Sequence, residues 1–342
     1  MTTLRAWHSR IWQGVLSTCP AMNIRHLRRP FGRTRFYAGW SPVTFTLPGS
    51  RKSYCSAFLE PSLRRQLAIV AVLATLASGD TVWWGQRGPQ PATQIFEAIT
   101  YGCERLEKTQ EGGGLLHWVR IDLTAPGIEL YVTPLDPSAT AHGWQYRLRR
   151  IEDVMDREHL SVAINGALFT WNPGWLPPMS GDLANGVETV VADHVTSHVW
   201  EHTYLLWFDD HLTPHLRASK PPGAELALAK WGVGGQGVGL QHGKVWPGGS
   251  HTADARTAVA VDQERKLLFL AVAESISPRR LLQKLADLGA EEGMLLDGGG
   301  SSSMAIGKHA EAIPPGVLYG GRRPVATYFG VRAQPLRAPK KS

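Results

Sequence analysis

The stretch from Met294 to Met304 constrains the fold of this chain more than any other segment. It contains an apolar run, one carboxylate, three glycines, three serines and then apolar residues again. A short apolar run bounded by glycine is typical of a buried strand. Asp297 is therefore expected at the end of a strand, where a sheet opens to solvent.

The residues that follow this carboxylate have the chemistry of a binding site. Three glycines allow a tight turn and bring successive backbone N–H groups toward an anion, while the serines add neutral donors. A flexible linker is the alternative, but linkers rarely join one buried apolar run directly to another. We expect a site for a sugar, a phosphate or both, with these binding residues: Gly298, Gly299, Gly300, Ser301 and Ser302.

The net charge of +7 does not indicate nucleic-acid binding. Residues 1–79 contain eleven of the 36 Lys and Arg residues but only one of the 29 Asp and Glu residues. Residues 80–342 have 25 basic and 28 acidic residues and no basic stripe with interleaved aromatic side chains. We therefore predict no nucleic-acid partner.

The basic N-terminal part has the pattern of an export signal. Arg64 and Arg65 precede the apolar segment 67–77, and small residues follow at 77–79. This order is typical of a secretory signal peptide. The apolar core is shorter than the roughly 20 residues of a membrane span, so no stable span is expected after cleavage. We predict an exported protein, periplasmic or extracellular, with an uncleaved membrane anchor as the alternative.

The cysteine pattern is compatible with export and predicts no internal disulfide in the processed chain. Cys19 and Cys55 precede the predicted cleavage point, which leaves Cys103 alone. No Cys/His spacing typical of a zinc site occurs. His194, His198 and His202 recur every four residues, but they lie near a predicted strand, where they would not share a helical face. We predict no metal site and no cofactor, although the sequence leaves a requirement for a divalent cation open.

Hydrophobic periodicity predicts more strands than helices. The expected features are a helix over 93–109, a hairpin formed by 118–123 and 128–132, a helix over 148–159, a strand over 161–164, a hairpin formed by 258–261 and 267–272, a helix from Ser277 to Gly289 and a strand over 323–331. Frequent hairpins favour an antiparallel arrangement. The predicted fold class is α+β: a single domain with a mixed, mainly antiparallel β-sheet and a few packed helices.

Five segments, taken in order, resemble the phosphodiester glycosidase family. Asp297 and the glycines and serines after it form the most specific segment, and the other four gain weight from their order. They are His117–Leu123, Val162–Phe169, Ala255–Ala260 and Arg322–Ala326. The resemblance covers roughly residues 115–333.

The resemblance implies hydrolysis of the glycosidic bond of a sugar 1-phosphodiester, which yields free sugar and a phosphomonoester. A carboxylate is the usual partner of an oxocarbenium-like centre, as nucleophile or as base for water, and Asp297 is the candidate. Arg256 offers a planar cation for phosphate oxygens, with Arg323 as a further binding residue. Asn165 is the third candidate catalytic residue, placed to position the sugar or the carboxylate. The predicted partner is a sugar phosphodiester or phosphoglycan.

Each candidate also has a purely structural alternative. Asp297 and Asn165 both precede glycine and could simply form turns, and Arg256 and Arg323 could be surface ion-pair partners. For the whole protein, the alternative function is a non-catalytic envelope protein that binds a glycan or phosphoglycan.

The predicted organisation follows from these patterns. Residues 1–62 form a non-structural or over-extended segment, 63–79 a signal peptide, 80–114 an N-terminal extension or linker, 115–333 the catalytic domain and 334–342 a basic tail.

Overall fold

The computed structural model describes residues 42–45, 54–58, 88–198, 204–217, 223–248 and 250–336. The chain divides into two units, Met1–Val82 and Trp83–Ser342. In the first unit the described residues form one antiparallel hairpin of β1 (Pro42–Phe45) and β2 (Tyr54–Phe58). The predicted signal peptide at 63–79 lies outside the described residues.

A branched sheet of twelve strands is the largest element of the second unit. Its main path runs in the order β12-β11-β15-β19-β17-β18-β5-β4-β3, while β13 and β16 pair with β15 and β14 pairs with β13. The strands are β3 (Gln90–Phe96), β4 (Ile99–Thr109), β5 (Gly112–Asp122), β11 (Val190–Ala192), β12 (Val195–Thr196), β13 (Tyr204–Phe208), β14 (Pro214–Arg217), β15 (Trp231–Gln241), β16 (Lys244–Val245), β17 (Asp254–Asp262), β18 (Leu267–Ile276) and β19 (Glu292–Leu295).

Two smaller sheets accompany it. The five-stranded sheet has the order β21-β20-β8-β22-β6, and the three-stranded sheet has the order β7-β10-β9. Their strands are β6 (Glu129–Val132), β7 (Tyr146–Arg147), β8 (Val162–Asn165), β9 (Phe169–Trp171), β10 (Leu183–Gly186), β20 (Met304–Ile306), β21 (Gly316–Tyr319) and β22 (Tyr328–Arg332). The helices of the described residues are α1 (Pro137–Thr140), α2 (Ile151–Glu158), α3 (Gly223–Leu226) and α4 (Pro278–Asp287).

The core lies between the twelve-stranded and five-stranded sheets, and a helix covers the outer face of each. Side chains alternate along a strand, so Val259 of β17 points into the central core while Ala258 faces α4. Ile164 of β8 faces the same central core, and Ala163 faces α2. The order is therefore helix, small sheet, large sheet, helix.

Local sequence explains why α4 forms where it does. Ser277 Oγ accepts a hydrogen bond from the Arg280 backbone N–H at 3.2 Å, and Pro278 occupies the first turn. Both features are typical of helix starts. Leu281 and Leu285 are buried against the large sheet, which confirms the helix predicted from Ser277.

Several sequence predictions of secondary structure are confirmed. The helix predicted over 148–159 is α2, and the hairpin predicted around 258–272 is the β17–β18 pair. All the ladders between described strands are antiparallel. The antiparallel character and the small number of helices are thus confirmed, whereas the mixed character is not seen among these ladders.

Two predictions are wrong. Residues 93–109 form β3 and β4 instead of a helix, because β4 pairs with β5 along most of its length. The strands around 118–132 exist, but they do not form a hairpin: β5 belongs to the large sheet and β6 pairs with β22 of the five-stranded sheet. The strand predicted over 323–331 begins later, at Tyr328.

Among the described residues, no helix has the length and apolar character needed to cross a membrane.

Candidate active site

Asp297 lies just beyond the end of β19, as the sequence predicts. The backbone N–H of Leu296 still donates to Thr257 of β17, at 2.9 Å. The N–H of Asp297 then donates to Gly166, which follows β8 of the other sheet, at 3.2 Å. A 3-10 turn over Gly299–Ser301 comes next. The carboxylate therefore lies where the edges of the two sheets meet.

Asn165 joins the two sheets beside this carboxylate. Its Nδ2 donates to the backbone oxygen of Asp297 at 2.8 Å. Its Oδ1 accepts from Thr257 Oγ1 at 2.7 Å and from the Ser303 backbone N–H at 3.0 Å. Asn165 is 1% exposed, and both Nδ2 and Oδ1 of its side chain are hydrogen-bonded to protein atoms. Asn165 therefore holds the Asp297 loop in place.

Two guanidinium groups flank the glycine turn. Nη1 of Arg256 is 3.4 Å from the position that a Cβ on Gly298 would take, and Nη1 of Arg323 is 3.5 Å from the equivalent position on Gly300. The missing side chains therefore let both cations approach the backbone of the turn. The structure thus brings together Asp297, both arginines and the turn that the sequence singled out.

Four buried polar atoms around this turn lack a hydrogen-bond partner among the described residues. They are Nε of Arg256, Nε of Arg323 and the hydroxyl oxygens of Ser301 and Ser302. Buried polar atoms without partners are rare in folded proteins and call for an explanation. All four atoms belong to the turn beside Asp297 or to the arginines that flank it, so polar groups of several kinds are packed together at this point.

An aromatic wall stands beside Arg323. Its guanidinium carbon lies 5.7 Å from the ring centre of Phe169 and 5.2 Å from that of Trp171. Such stacking fixes the plane of the guanidinium and adds a cation–π attraction. The wall comes from β9, the strand after the Asn165 segment.

The loop that continues from this wall is apolar and exposed. No charged residue occurs from 170 to 181, and Trp175 and Met179 are 74% and 67% exposed. Internal hydrogen bonds shape the loop, among them Trp171 Nε1 to the Leu176 backbone oxygen at 2.9 Å. The site therefore has an uncharged rim on this side.

A second carboxyl group, Glu188, lies near Asp297 and was not predicted from the sequence. It precedes β11 and is 8% exposed, and its Oε2 accepts the Leu168 backbone N–H at 2.5 Å. Strand β15 lies between β11 and β19, and there a Cβ on Gly234 would be 2.5 Å from the Cβ of Glu188. Because Gly234 has no side chain, Glu188 fits against β15, where the charge of Asp297 acts on it.

The two carboxyl groups have different electrostatic surroundings. Burial raises the pKa of Asp297, while Ser301, the Gly298 amide and Arg323 lower it. The Ser301 hydroxyl is close enough to act on the carboxylate without meeting hydrogen-bond geometry. The pKa of Glu188 is raised to about 7, mainly by burial and also by the negative charge of Asp297, whereas the hydrogen bond from the Leu168 N–H lowers it. Asp297 is thus the more acidic of the two.

One sequence signal could have revealed Glu188. Gly232 to Gly237 formally match a dinucleotide-binding pattern, but they lie within β15 rather than after a strand. Repeated glycines inside a strand mark a place where another group approaches closely. Here, at Gly234, the groups that approach are the Cβ of Glu188 and the backbone of Thr189, just before the apolar run of β11.

One cavity has a lining that includes none of the candidate site residues. The 670 Å³ cavity lies between α2, β20 and β21, and its lining includes Met155, Ile306 and Val317. Among the described residues, no group of three or more His, Cys, Asp or Glu side chains could hold a metal ion. Of the three histidines that recur every four residues, His194 lies beside Asp210 and His198 contacts Gln145. His202 is outside the described residues.

Comparison with known families identifies the chain. The phosphodiester glycosidase family model matches residues 158–332, which is more than half of the sequence. The chain belongs to the phosphodiester glycosidase family. The resemblance seen in the sequence is confirmed.

Solved structures share the fold of this phosphodiester glycosidase family member. A hypothetical protein from Synechocystis has 15% identity and a TM-score of 0.53, with 72% of this chain and 64% of that chain covered. This chain therefore spans less than two thirds of that protein. The zebrafish N-acetylglucosamine-1-phosphodiester alpha-N-acetylglucosaminidase catalytic domain, auto-inhibited by its pro-peptide, has 14% identity and a TM-score of 0.50, with 74% and 91% covered. Comparison with curated proteins gives no match.

Replacing Glu188 with Gln should change how the stability of this family member depends on pH. The Glu188 carboxyl has a pKa of about 7 in the folded protein and an ordinary pKa of 4.5. It therefore contributes stability that is fully present below pH 4.5 and is lost as the pH rises through about 7. The loss is at most about 3 kcal/mol. Urea unfolding at pH 4.5 and 8 should show a smaller loss of stability in E188Q than in the wild type.

The exposed Glu264 provides the matched control, because E264Q removes a carboxylate of the β17–β18 turn far from this environment. E264Q should follow the wild-type pH dependence. Equal pH dependence in E188Q and the wild type would contradict the assignment of Glu188 as a buried, proton-binding carboxyl.

Proposed function

We propose that this protein hydrolyses the glycosidic bond of a sugar 1-phosphodiester and releases free sugar and a phosphomonoester. The observation that carries the proposal is the placement of one partly accessible carboxylate, Asp297, against a turn flanked by two guanidinium groups. Family membership supports the substrate class. The alternative of a non-catalytic glycan-binding protein becomes an outcome of the test below.

The cationic side of the site suits the leaving group. A phosphomonoester departs readily when its charge is stabilised, so the reaction needs anion donors fixed before the substrate arrives. Arg256 and Arg323 supply guanidinium groups, and each has a buried Nε without a protein partner. The hydroxyls of Ser301 and Ser302 lie in the same turn, and that of Ser301 acts on the Asp297 carboxylate.

The carboxylate side suits the sugar. Cleavage of the bond between the anomeric carbon and the phosphate oxygen develops positive charge on the sugar ring. Asp297 can meet that charge as a nucleophile, or as a base that takes a proton from the attacking water. Asn165 acts through Asp297, because its amide holds the backbone oxygen of that residue at 2.8 Å.

The wall of Phe169 and Trp171 offers an apolar face beside the arginines. Sugar rings present C–H faces that pack on aromatic rings, and aromatic side chains often form one wall of a ligand site. We assign this wall to the sugar or to the group on the other side of the phosphate.

Replacing Asp297 with Asn should abolish hydrolysis of a synthetic sugar 1-phosphodiester. The amide cannot attack carbon or accept a proton from water, although it keeps the size of the side chain. We expect a loss of at least about 100-fold in kcat, measured by release of reducing sugar. D287N, on the exposed surface of α4, should keep the wild-type rate.

The same assay separates the alternatives. No hydrolysis by the wild type combined with binding of a phosphoglycan would favour the non-catalytic function. Hydrolysis in water labelled with oxygen-18 should place the label in the sugar. Label in the phosphate would instead show attack at phosphorus and would contradict the proposed bond cleavage.

Replacing Arg323 with Lys should weaken substrate binding more than it slows the chemical step. Lysine keeps the charge but loses the planar fork and the stacking on Trp171. We expect KM to rise about tenfold, which corresponds to about 1.4 kcal/mol, while kcat changes less. R279K, on the exposed face of α4, is the matched control. An unchanged KM in R323K would remove Arg323 from the binding site.

Export is also part of the proposal, on the strength of the arginine pair, the apolar segment 67–77 and the small residues after it. We expect the native protein to be periplasmic or extracellular and to begin near Asp80. N-terminal sequencing of protein purified from the native source tests this. A peptide from residues 1–60 would contradict the assignment of this segment as an over-extended start, and an N-terminus before 67 would favour the uncleaved anchor.

A further inference from the structure

We propose that Glu188 is a positioning residue that acts through Asp297: while protonated, it leaves Asp297 as the one negative charge of the carboxyl pair, and its ionisation excludes the anionic substrate. The inference rests on the proposed function, since it assumes a phosphodiester anion beside Asp297. It assigns a role to a residue that the hydrolytic step itself does not use.

The geometry of β15 places the two carboxyl groups as neighbours. Val190 of β11 pairs with Val233 of β15, and Gln236 of β15 pairs with Leu295 of β19. Glu188 stands two residues before the first of these pairs, and Asp297 two residues after the last. Gly234 and Gly235 lie between these pairs. Both acidic residues also bond to one short segment: the Asp297 N–H donates to the Gly166 oxygen at 3.2 Å, and the Leu168 N–H donates to Glu188 Oε2 at 2.5 Å.

The surroundings of Glu188 offer it no cation. Among the described residues, the groups that act on its ionisation are the backbone N–H groups of Leu168 and Glu188 itself and the charge of Asp297. Neither β15 nor the segment 165–171, which packs beside it, contains a titratable side chain. Arg323 acts on Asp297, and Arg256 lies against Gly298, the residue after that carboxylate.

This difference fixes the order in which the pair loses protons. Asp297 ionises first, because Ser301, the Gly298 amide and Arg323 stabilise its charge. Glu188 must then ionise beside an existing negative charge while buried, and its pKa is about 7. Two carboxyls with separated pKa values commonly have different roles. Here one is the charged reactive group and the other is a neutral neighbour.

The substrate makes the charge of the pair important. A phosphodiester carries one negative charge, which the two arginines must attract against Asp297. A second carboxylate charge in a site of low dielectric would oppose that attraction. Substrate binding should therefore weaken as Glu188 ionises, so that KM rises while kcat changes less.

The test compares pH profiles of the wild type and E188Q between pH 5.5 and 9. Glutamine mimics the protonated carboxyl and can still accept the Leu168 N–H. The wild-type KM should rise about tenfold per pH unit above pH 7, because only the protonated fraction binds substrate, whereas the KM of E188Q should stay flat. E264Q should reproduce the wild-type profile.

Two results would overturn the inference. If E188Q keeps the wild-type alkaline rise in KM, Glu188 does not control substrate binding. If E188Q loses 100-fold or more in kcat at pH 6 without a change in KM, Glu188 gives a proton to the reacting atoms and is a catalytic acid instead.

A binding measurement separates this inference from the hydrolytic function. Sulfate keeps its charge from pH 5.5 to 9, so calorimetric titration with sulfate reports the site without turnover. The wild type should lose sulfate affinity above pH 7, and E188Q should not. If the wild type shows this pH-dependent sulfate binding but does not hydrolyse the substrate, only the proposed reaction is wrong. Equal pH dependence in both proteins, or no sulfate binding by either, would overturn the role of Glu188.

Discussion

The hydrogen bonds of the Asn165 side chain are the constraint on which the site depends. They connect the end of β8 in the small sheet to Thr257 in the large sheet and to both ends of the Asp297 loop. The bonds that fix the contact between the sheets are therefore the bonds that place the carboxylate. A buried amide that lost one of these partners would leave an unsatisfied polar atom at the centre of the molecule.

The sequence predicted those parts of the fold that local patterns determine. The cap at Ser277 and the leucines after it define α4, and the turn between β17 and β18 joins two apolar strands that do pair. The errors concern long-range pairing. The spacing of residues 93–109 suits a helix, but the ladder with β5 decides their structure. Alternation identified β5 and β6, yet it carries no information about which sheet each strand joins.

The candidate site was predictable to the extent that its residues lie at the ends of strands. Asp297 and Asn165 each follow or end an apolar run and precede glycine, Arg256 lies near the start of β17, and the topology brings the three together. Glu188 lacks such a local signature, because its place against β15 depends on the missing side chain of Gly234, which only the strand pairing reveals. For Arg323, the sequence shows the charge but not the stacking on Phe169 and Trp171, because that contact depends on where β9 lies.

The unpartnered atoms of the arginines and serines have a consequence for how a ligand would bind. These atoms are closed to solvent in the folded chain, so the cost of desolvating them is part of folding. The packing that closes them to water closes them equally to a ligand, which can bond to them only if the glycine turn shifts. The turn around Asp297 therefore couples any hydrogen bond to these atoms with a movement of its own backbone.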